Sequence, residues 1–336
     1  MPWRRTSDPY KIWLSEIILQ QTQVKQGLPY YEKFVTTYPT VHDLAGAKEE
    51  EVLKLWQGLG YYSRARNLHF TAKYVSNDLN GDFPNSYNEI IKLKGIGDYT
   101  AAAISSFAYK EAVPVLDGNV FRLLSRYFGI DTPINTTEGV KKFKELVNVV
   151  FDVQNPAEHN QAIMEFGALM CKPKTPDCIF CPLQQDCSAY HSGKVNELPV
   201  KLKKLKRRKR FFNYLIITNT NKDVLIRQRL EKDIWQKLFE FPLLELDCEL
   251  EFLKQDHLKH LSVLGNLNNL SISKLNNRPL KHVLSHQDIF ANFWKIETSL
   301  SAEKITEENL FLVNKTQLSS YAMPVLISKF IEQTTL

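Results

Sequence analysis

LKGIGDYTAAAISSFAYKEAVPVLDGNVFR, residues 93–122, is the stretch on which the reading of the chain turns. Gly95 and Gly97 bracket Ile96 between an apolar helix end (Ile90, Ile91, Leu93) and the alanine-rich run from Ala101 to Ile104, which predicts helix, tight hairpin, helix. Glycine lets amide N–H groups point outward at the start of the second helix, where they and the helix dipole can hold a phosphate group. Twenty residues beyond Gly97, Val115-Leu116-Asp117-Gly118-Asn119 sets an acid between an apolar run and a glycine. Two spaced glycines alone make an ordinary turn. The helix and the acid that follow suggest an element that grips a phosphate backbone and presents a carboxylate beside it.

Outward from that stretch, 336 residues suffice for two domains, each with its own core. Lys plus Arg number 43 against 37 Asp plus Glu, a net charge of +6 that suits a polyanionic partner without demanding one. No apolar run reaches the roughly 18 residues of a membrane span, and MPWRRTSDPY lacks a signal peptide's hydrophobic core. A cytoplasmic protein with no membrane partner is therefore expected. Of the five cysteines, Cys171, Cys178, Cys181 and Cys187 fall within 17 residues, which in a reducing compartment favours metal ligation over disulfides. General ligand chemistry leaves zinc and an iron–sulfur cluster both open. Cys248 is expected to be a free thiol.

At the start, Asp8-Pro9 is an N-cap followed by proline at the first helical position, and a helix is predicted from there through Val24. Helical spacing places Glu16 beside Trp13, Ile17 and Gln20. Most mid-helix glutamates are solvated, but one embedded in so apolar a stretch is open to desolvation, which raises its pKa toward that of a general acid. Further along, Tyr61, Tyr62, Arg64 and Arg66 interleave rings with cations, a pattern that suits either nucleic-acid contact or a packed helical hairpin. Helices are predicted over 67–80, 85–93, 121–128 and 137–151, with another around Asn160–Gly167, and the apolar positions of 121–151 read as core. Residues 201–210 carry eight basic residues in ten, either a solvated connector or a contact to a phosphate backbone. Two strands are predicted on either side of the turn that follows, at 211–217 and 224–229, and a β-prone run at 281–289.

LKGIGDYTAAAI with VLDGNV, and SEIILQQTQV around Glu16, resemble the base-excision DNA glycosylases related to endonuclease III. Bifunctional members carry a lysine two residues after the second hairpin glycine. Here that residue is Tyr99, which cannot act as an amine nucleophile, so the resemblance narrows to the adenine-specific mismatch glycosylases, the MutY family. One departure is Lys94, where the family usually has proline. Members also usually carry a further helix ahead of Trp3, so the chain reads as short at its start.

The resemblance implies an α + β multidomain fold. An all-helical helix-hairpin-helix glycosylase domain with an iron-sulfur cluster loop (residues 1–190, hairpin 93–104, loop 171–187) is followed by a basic linker at 191–210 and a Nudix-like α+β domain at 211–336 that recognises 8-oxoguanine. The stretch Ile234–Pro242 resembles a loop of that domain, but the glutamate-rich Nudix box does not follow it. By the same resemblance Glu16 and Asp117 are catalytic, and Tyr99 and Asn119 shape the site around them. Trp3, Arg4, Leu19, Gln21 and Gln161 serve the adenine and its vacated place. Tyr61, Ser285 and His286 serve the opposing 8-oxoguanine. Gly95 and Gly97 meet the DNA backbone, and Cys171, Cys178, Cys181 and Cys187 hold a 4Fe-4S cluster. Glu165 is expected to be structural.

The function so implied is hydrolysis of the N-glycosidic bond of adenine in 8-oxoguanine:adenine or guanine:adenine mispairs of duplex DNA, without strand cleavage, by a monomer associated with the nucleoid. The competing readings are a bifunctional glycosylase-lyase, disfavoured by Tyr99; a non-enzymatic iron–sulfur DNA-binding protein; and a Nudix nucleotide hydrolase, which lacks its box.

Overall fold

In the computed structural model, residues 1–202, 207–219, 221, 223–259, 264, 270–297, 305 and 309–334 are described. In chain order the helices are α1 (Pro9–Leu19), α2 (Val24–Thr37), α3 (Val41–Gly46), α4 (Glu49–Leu55), α5 (Ser63–Asp78), α6 (Tyr87–Ile90), α7 (Asp98–Tyr109), α8 (Gly118–Tyr127), α9 (Thr137–Val150), α10 (Pro156–Leu169), α11 (Ser188–His191) and α12 (Val325–Gln333). The strands are β1 (Arg208–Thr218), β2 (Asp223–Gln228), β3 (Phe239–Glu240), β4 (Leu243–Leu246), β5 (Ser271–Lys274), β6 (Leu280–Val283), β7 (Gln287–Glu297) and β8 (Leu310–Asn314). Two compact units result, Met1–Gly46 with Asn67–Lys204, and Ala47–Arg66 with Leu205–Leu336. No helix among the described residues is long and apolar enough to cross a membrane.

The first unit is helical and built around α1. Asp8 caps that helix by accepting from the Tyr10 amide at 3.0 Å, and Ile12, Trp13, Leu14, Ile17 and Ile18 are buried along it. The helix stops at Leu19, earlier than the Val24 predicted, because Gln21 takes a left-handed φ of 53° and the polar run Gln20–Gln23 has no apolar face to bury. Against α1 lies α7, whose buried Ala101, Ala102 and Ala103 allow close approach. The hairpin ahead of α7 needs glycine at Gly95, where φ is +82° and a Cβ would come within 2.6 Å of Asn67 Cβ. A second cluster, with Ala103, Val115, Val120, Leu124, Phe143 and Val147 at its centre, joins α7, α8 and α9. Helix α6 is shorter than the predicted 85–93, and α8 begins three residues before the predicted Phe121 because Asp117 caps it.

The second unit is a mixed sheet of order β3-β2-β1-β7-β5, with β4 also on β1, β6 on β7 and β8 on β2. Strands β1 and β7 pair in parallel from Arg208↔Gln287 to Thr218↔Glu297. β1 is buried on both faces. Leu215 and Ile217 pack with Trp294, Ile296 and Leu258, while Tyr214 stacks on Phe293, and Phe293 in turn on Phe330 of α12. Such continuous apolar runs are typical of strands covered on both sides.

Within the basic run the described residues divide, Arg207, Arg208 and Lys209 being exposed and Arg210 buried. Leu202 donates its amide to Asn135 Oδ1 at 2.9 Å, and residues 203–206 lie outside the described set. Arg208–Arg210 open β1, and Arg210 is buried between Asp233 (2.7 Å) and Glu245 (2.6 Å). A guanidinium taken from water must be paired, so Arg210 is neither solvated nor available to a phosphate.

Candidate active site

Four side chains from three helices meet at one cavity of about 360 Å³ in the first unit. Glu16 comes from the middle of α1, Tyr99 from the first turn of α7, Asp117 from the N-cap of α8 and Asn119 from that helix's first turn. The Tyr99 hydroxyl donates to Glu16 Oε2 at 2.8 Å. Asp117 is more richly served. Its Oδ1 accepts from the amides of Asn119 (2.8 Å) and Val120 (2.7 Å), and its Oδ2 from Asn119 Nδ2 at 2.7 Å.

That inequality separates the two acids. Burial pushes the Glu16 carboxyl up to about 7; the Tyr99 hydrogen bond and the Arg4 charge oppose the rise, and Asp117 adds to it. Asp117 is raised as well, by burial, against the opposing pull of its amide and side-chain donors and Arg122. Hydrogen bonds to the ionised form favour it, so the three that Asp117 accepts oppose protonation more than the single one that Glu16 accepts. The cavity thus pairs an acid poised at neutral pH with a second carboxyl that has more donors to its ionised form. The Tyr99 phenol, raised well above its ordinary value by burial and then by Glu16, stays a neutral donor.

Trp3, Arg4, Leu19 and Gln161 line the same cavity. Trp3 is buried on a short 3-10 turn, Pro2–Arg4, with its ring edge-on to Tyr31 at 5.0 Å. Glu165, expected to be structural, also faces the cavity and forms an ion pair with Arg4. Gln21 is exposed on the break after α1 and does not line the cavity.

Several positioning residues escaped the sequence reading. Asn160, fully buried, accepts from the Val115 amide at 3.0 Å and donates to the Val113 carbonyl and Ser106 Oγ, both at 2.9 Å. It thereby fixes the irregular segment that delivers Asp117. Residues 121–128 were expected to be plain core, yet two arginines one turn apart are buried there. Arg122 donates to Asn119 Oδ1 (2.9 Å), the Gly167 carbonyl (2.5 Å) and the Cys171 carbonyl (2.7 Å). Arg126 donates to the carbonyls of Leu198 (3.0 Å), Lys172 (2.7 Å) and Pro173 (3.2 Å). Arginines at a four-residue spacing in an apolar helix are a visible signal, but their acceptors are carbonyls, which sequence does not distinguish. Gly167 lets α10 approach α8 closely; a Cβ there would lie 2.8 Å from the Asn119 carbonyl oxygen.

The cysteine loop hangs from those arginines. Cys171, Cys178, Cys181 and Cys187 are unpaired thiols that wall a single small cavity together with Arg126. Among the described residues no three His, Cys, Asp or Glu side chains converge as a set for one metal ion. Four thiol donors around one shared space suit a soft metal centre. Arg126 Nη1 lies 3.4 Å from Cys171 Sγ, a cation placed where thiolate charge would gather. The fifth cysteine, Cys248, is an exposed free thiol.

In the second unit, Tyr61 and Ser285 hydrogen-bond through their hydroxyls. Tyr61 has a left-handed φ of 46° and is about half exposed (47%). The β-prone run at 281–289 is not one strand. Leu284 donates to the Gln287 carbonyl at 2.8 Å, so Ser285 and the exposed His286 form the two-residue turn between β6 and β7. Gly95 and Gly97 are exposed at the hairpin and are not among the residues that line the Glu16 cavity.

Comparison with known proteins also finds two parts, the first of which includes Ala47–Arg66 of the second unit. Residues 14–148 match the HhH-GPD superfamily of base excision DNA repair proteins, and residues 213–333 match the NUDIX domain. An adenine DNA glycosylase of Buchnera aphidicola subsp. Baizongia pistaciae is 36% identical over 333 residues, which span 98% of this chain and 91% of the relative. That of Buchnera aphidicola subsp. Schizaphis graminum is 35% identical over 300 residues, 87% of this chain and 85% of the relative. A solved thermostable thymine-DNA glycosylase superposes with a TM-score of 0.53 at 32% identity, covering 57% of this chain and 88% of its own.

Proposed function

The chain belongs to the adenine DNA glycosylase family of base-excision repair enzymes, and on that premise we propose that it hydrolyses the N-glycosidic bond of adenine mispaired with 8-oxoguanine, using Glu16 as acid and Asp117 as anion. The observation that carries this reading is the shared cavity, in which one carboxyl is poised to hold a proton near pH 7 while its neighbour accepts three hydrogen bonds that favour its ionised form.

The target base lies within the duplex stack, so it must first be extruded, at a cost of a few kcal/mol that a mispair lessens. With adenine in the cavity, Glu16 gives its proton to N7 of the ring. The bond from the sugar to N9 then breaks with both electrons leaving on the base, which departs neutral. The sugar passes through a cation that Asp117 stabilises electrostatically, in the manner of paired-carboxylate glycoside hydrolysis. Glu16, now ionised, takes a proton from the water that attacks the sugar, and is reset. Asn119 and Tyr99 keep Asp117 and Glu16 in place. Trp3, Arg4, Leu19 and Gln161 receive the adenine, and the Gln161 amide suits a purine edge because it both donates and accepts. Tyr99 supplies no amine, so the reaction ends at an abasic site and the strand is left intact.

Tyr61, Ser285 and His286 read the 8-oxoguanine, Gln21 takes part where the base has left, and the amides at Gly95 and Gly97 hold a backbone phosphate. A duplex with adenine opposite 8-oxoguanine is expected to lose adenine faster than one with adenine opposite guanine, assayed by alkaline cleavage of the abasic product. Equal rates would remove the 8-oxoguanine reading and leave the adenine glycosylase.

Cys171, Cys178, Cys181 and Cys187 would hold a 4Fe-4S cluster whose contribution is to order the loop; the hydrolysis needs no electron. Through Arg122 the Cys171 carbonyl is tied to Asn119, so order in the loop reaches the catalytic carboxylate. Purified protein is expected to carry iron and acid-labile sulfide in equal amounts; stoichiometric zinc without sulfide would overturn the assignment. Both sets of recognition residues belong to one chain, so a monomer suffices, and its substrate places it at the nucleoid in the cytoplasm.

A further inference from the structure

Lys94 stands immediately before Gly95, at the exposed edge of the hairpin. Its carbonyl accepts from the hydroxyl of buried Thr71 at 2.9 Å, which fixes the backbone there without involving the lysine side chain. The ammonium lies 4.0 Å from the ring centroid of Phe70, and that ring is 53% exposed. An aromatic side chain so exposed does little for the core. Here it holds a long, flexible cation in one direction while leaving it open to solvent.

From this point a groove of about 690 Å³ runs between α5 and the 79–94 segment, with Tyr74, Asn80 and Lys92 also on its walls. It contains Asp82 and Glu89 as well, so the favourable contact is confined to the lysine that adjoins the hairpin. On the other flank of the hairpin, Asp98 would repel a phosphate, but its carboxylate is engaged by the Tyr87 hydroxyl and by Lys144. Among the described residues Lys94 forms no ion pair, so its charge stands uncompensated next to the hairpin. Proline, usual at this place in the family that the hairpin resembles, would bring none.

We propose that Lys94 makes an ionic contact to the DNA backbone beside the phosphate held by the hairpin amides, a contact built by the Phe70 ring and by this chain's departure from proline. The inference rests on the reading of the hairpin as a phosphate site, and the test separates the two. Binding of the full-length protein to an undamaged duplex is measured by fluorescence anisotropy over a range of KCl concentrations, for the wild type, Lys94→Gln and Gly97→Asp. Lys94→Gln leaves the Thr71 bond to the backbone intact. Gly97→Asp is sterically free, with open space around its Cβ and φ at −102°, and it sets a carboxylate at the hairpin tip.

Each phosphate contact contributes about 0.9 to the slope of log affinity against log salt, so Lys94→Gln is expected to lower the slope by about one, with its melting temperature unchanged. Gly97→Asp is expected to weaken binding outright. Weakened binding in Gly97→Asp together with a wild-type slope in Lys94→Gln would overturn the proposal and leave the hairpin reading standing. Wild-type binding by both variants would remove the hairpin reading and the proposal with it.

Discussion

Glu16→Gln is expected to release adenine about 10²- to 10⁴-fold more slowly than the wild type while binding duplex DNA as tightly, since a positioned general acid is worth about that much. Glutamine keeps the size of the side chain and an oxygen to accept from Tyr99, but it has no proton to give. The pH dependence provides a second measurement. Because the reactive form is the protonated acid, the wild-type rate should fall as pH rises through about 7, where Glu16 loses its proton. A single-turnover profile that is flat from pH 6 to pH 9 would show that some other group protonates the base.

The same shift has a sign in stability. Glu16 titrates at an ordinary 4.5 in the unfolded chain and at about 7 in the fold. Between those values the folded state holds a proton that the unfolded state has released, so stability falls as pH rises across that window. At pH 8 the buried charge costs the folded state about 3 kcal/mol, an order-of-magnitude figure at 1.36 kcal/mol per pH unit. Glu16→Gln escapes this cost, so its stability relative to the wild type should grow between pH 5 and pH 8, as read by denaturant titration. A slow enzyme that also becomes relatively more stable in alkali is not what a misfolded variant would show.

Asp117→Asn is expected to be similarly damaged in catalysis, by about 10²- to 10³-fold, the scale of losing a group that stabilises developing charge. Asparagine is as good an N-cap as aspartate, so α8 should keep its start and the variant its melting temperature. Asp117→Ala removes cap and charge together, and should be less stable by a further ~1 kcal/mol. The two variants thus separate what the carboxylate does for the helix from what it does for the sugar cation. If Asp117→Asn retained wild-type single-turnover excision, the carboxylate would serve only as a cap.

Much of this was legible in the chain before any coordinates. The glycine spacing at Gly95 and Gly97 is written in residue type, because few other residues tolerate the backbone at Gly95. The start of α1 was legible from Asp8-Pro9 for the same local reason, and the cysteine spacing from the shortness of its loop. The end of α1 was not, since Gln20–Gln23 contains no strong helix breaker and only the backbone turn at Gln21 terminates it. The start of α8 is legible in the sequence, because an aspartate followed by Gly-Asn is a capping pattern.

What the sequence determined by itself was therefore local: turns, caps, apolar faces, and the residue types that chemistry at a purine nucleoside requires. What only the tertiary structure decided was which of those residues meet, and in what state of charge. Glu16 and Asp117 are 101 positions apart, and nothing along the chain says that one would be left with a single hydrogen-bond donor and the other given three. Nor does it say that Asn160 would hold the segment before Asp117, or that Glu165 would pair with Arg4 at the same cavity. Protonation depends on desolvation and on partners brought from elsewhere in the chain, and those are properties of the packed fold.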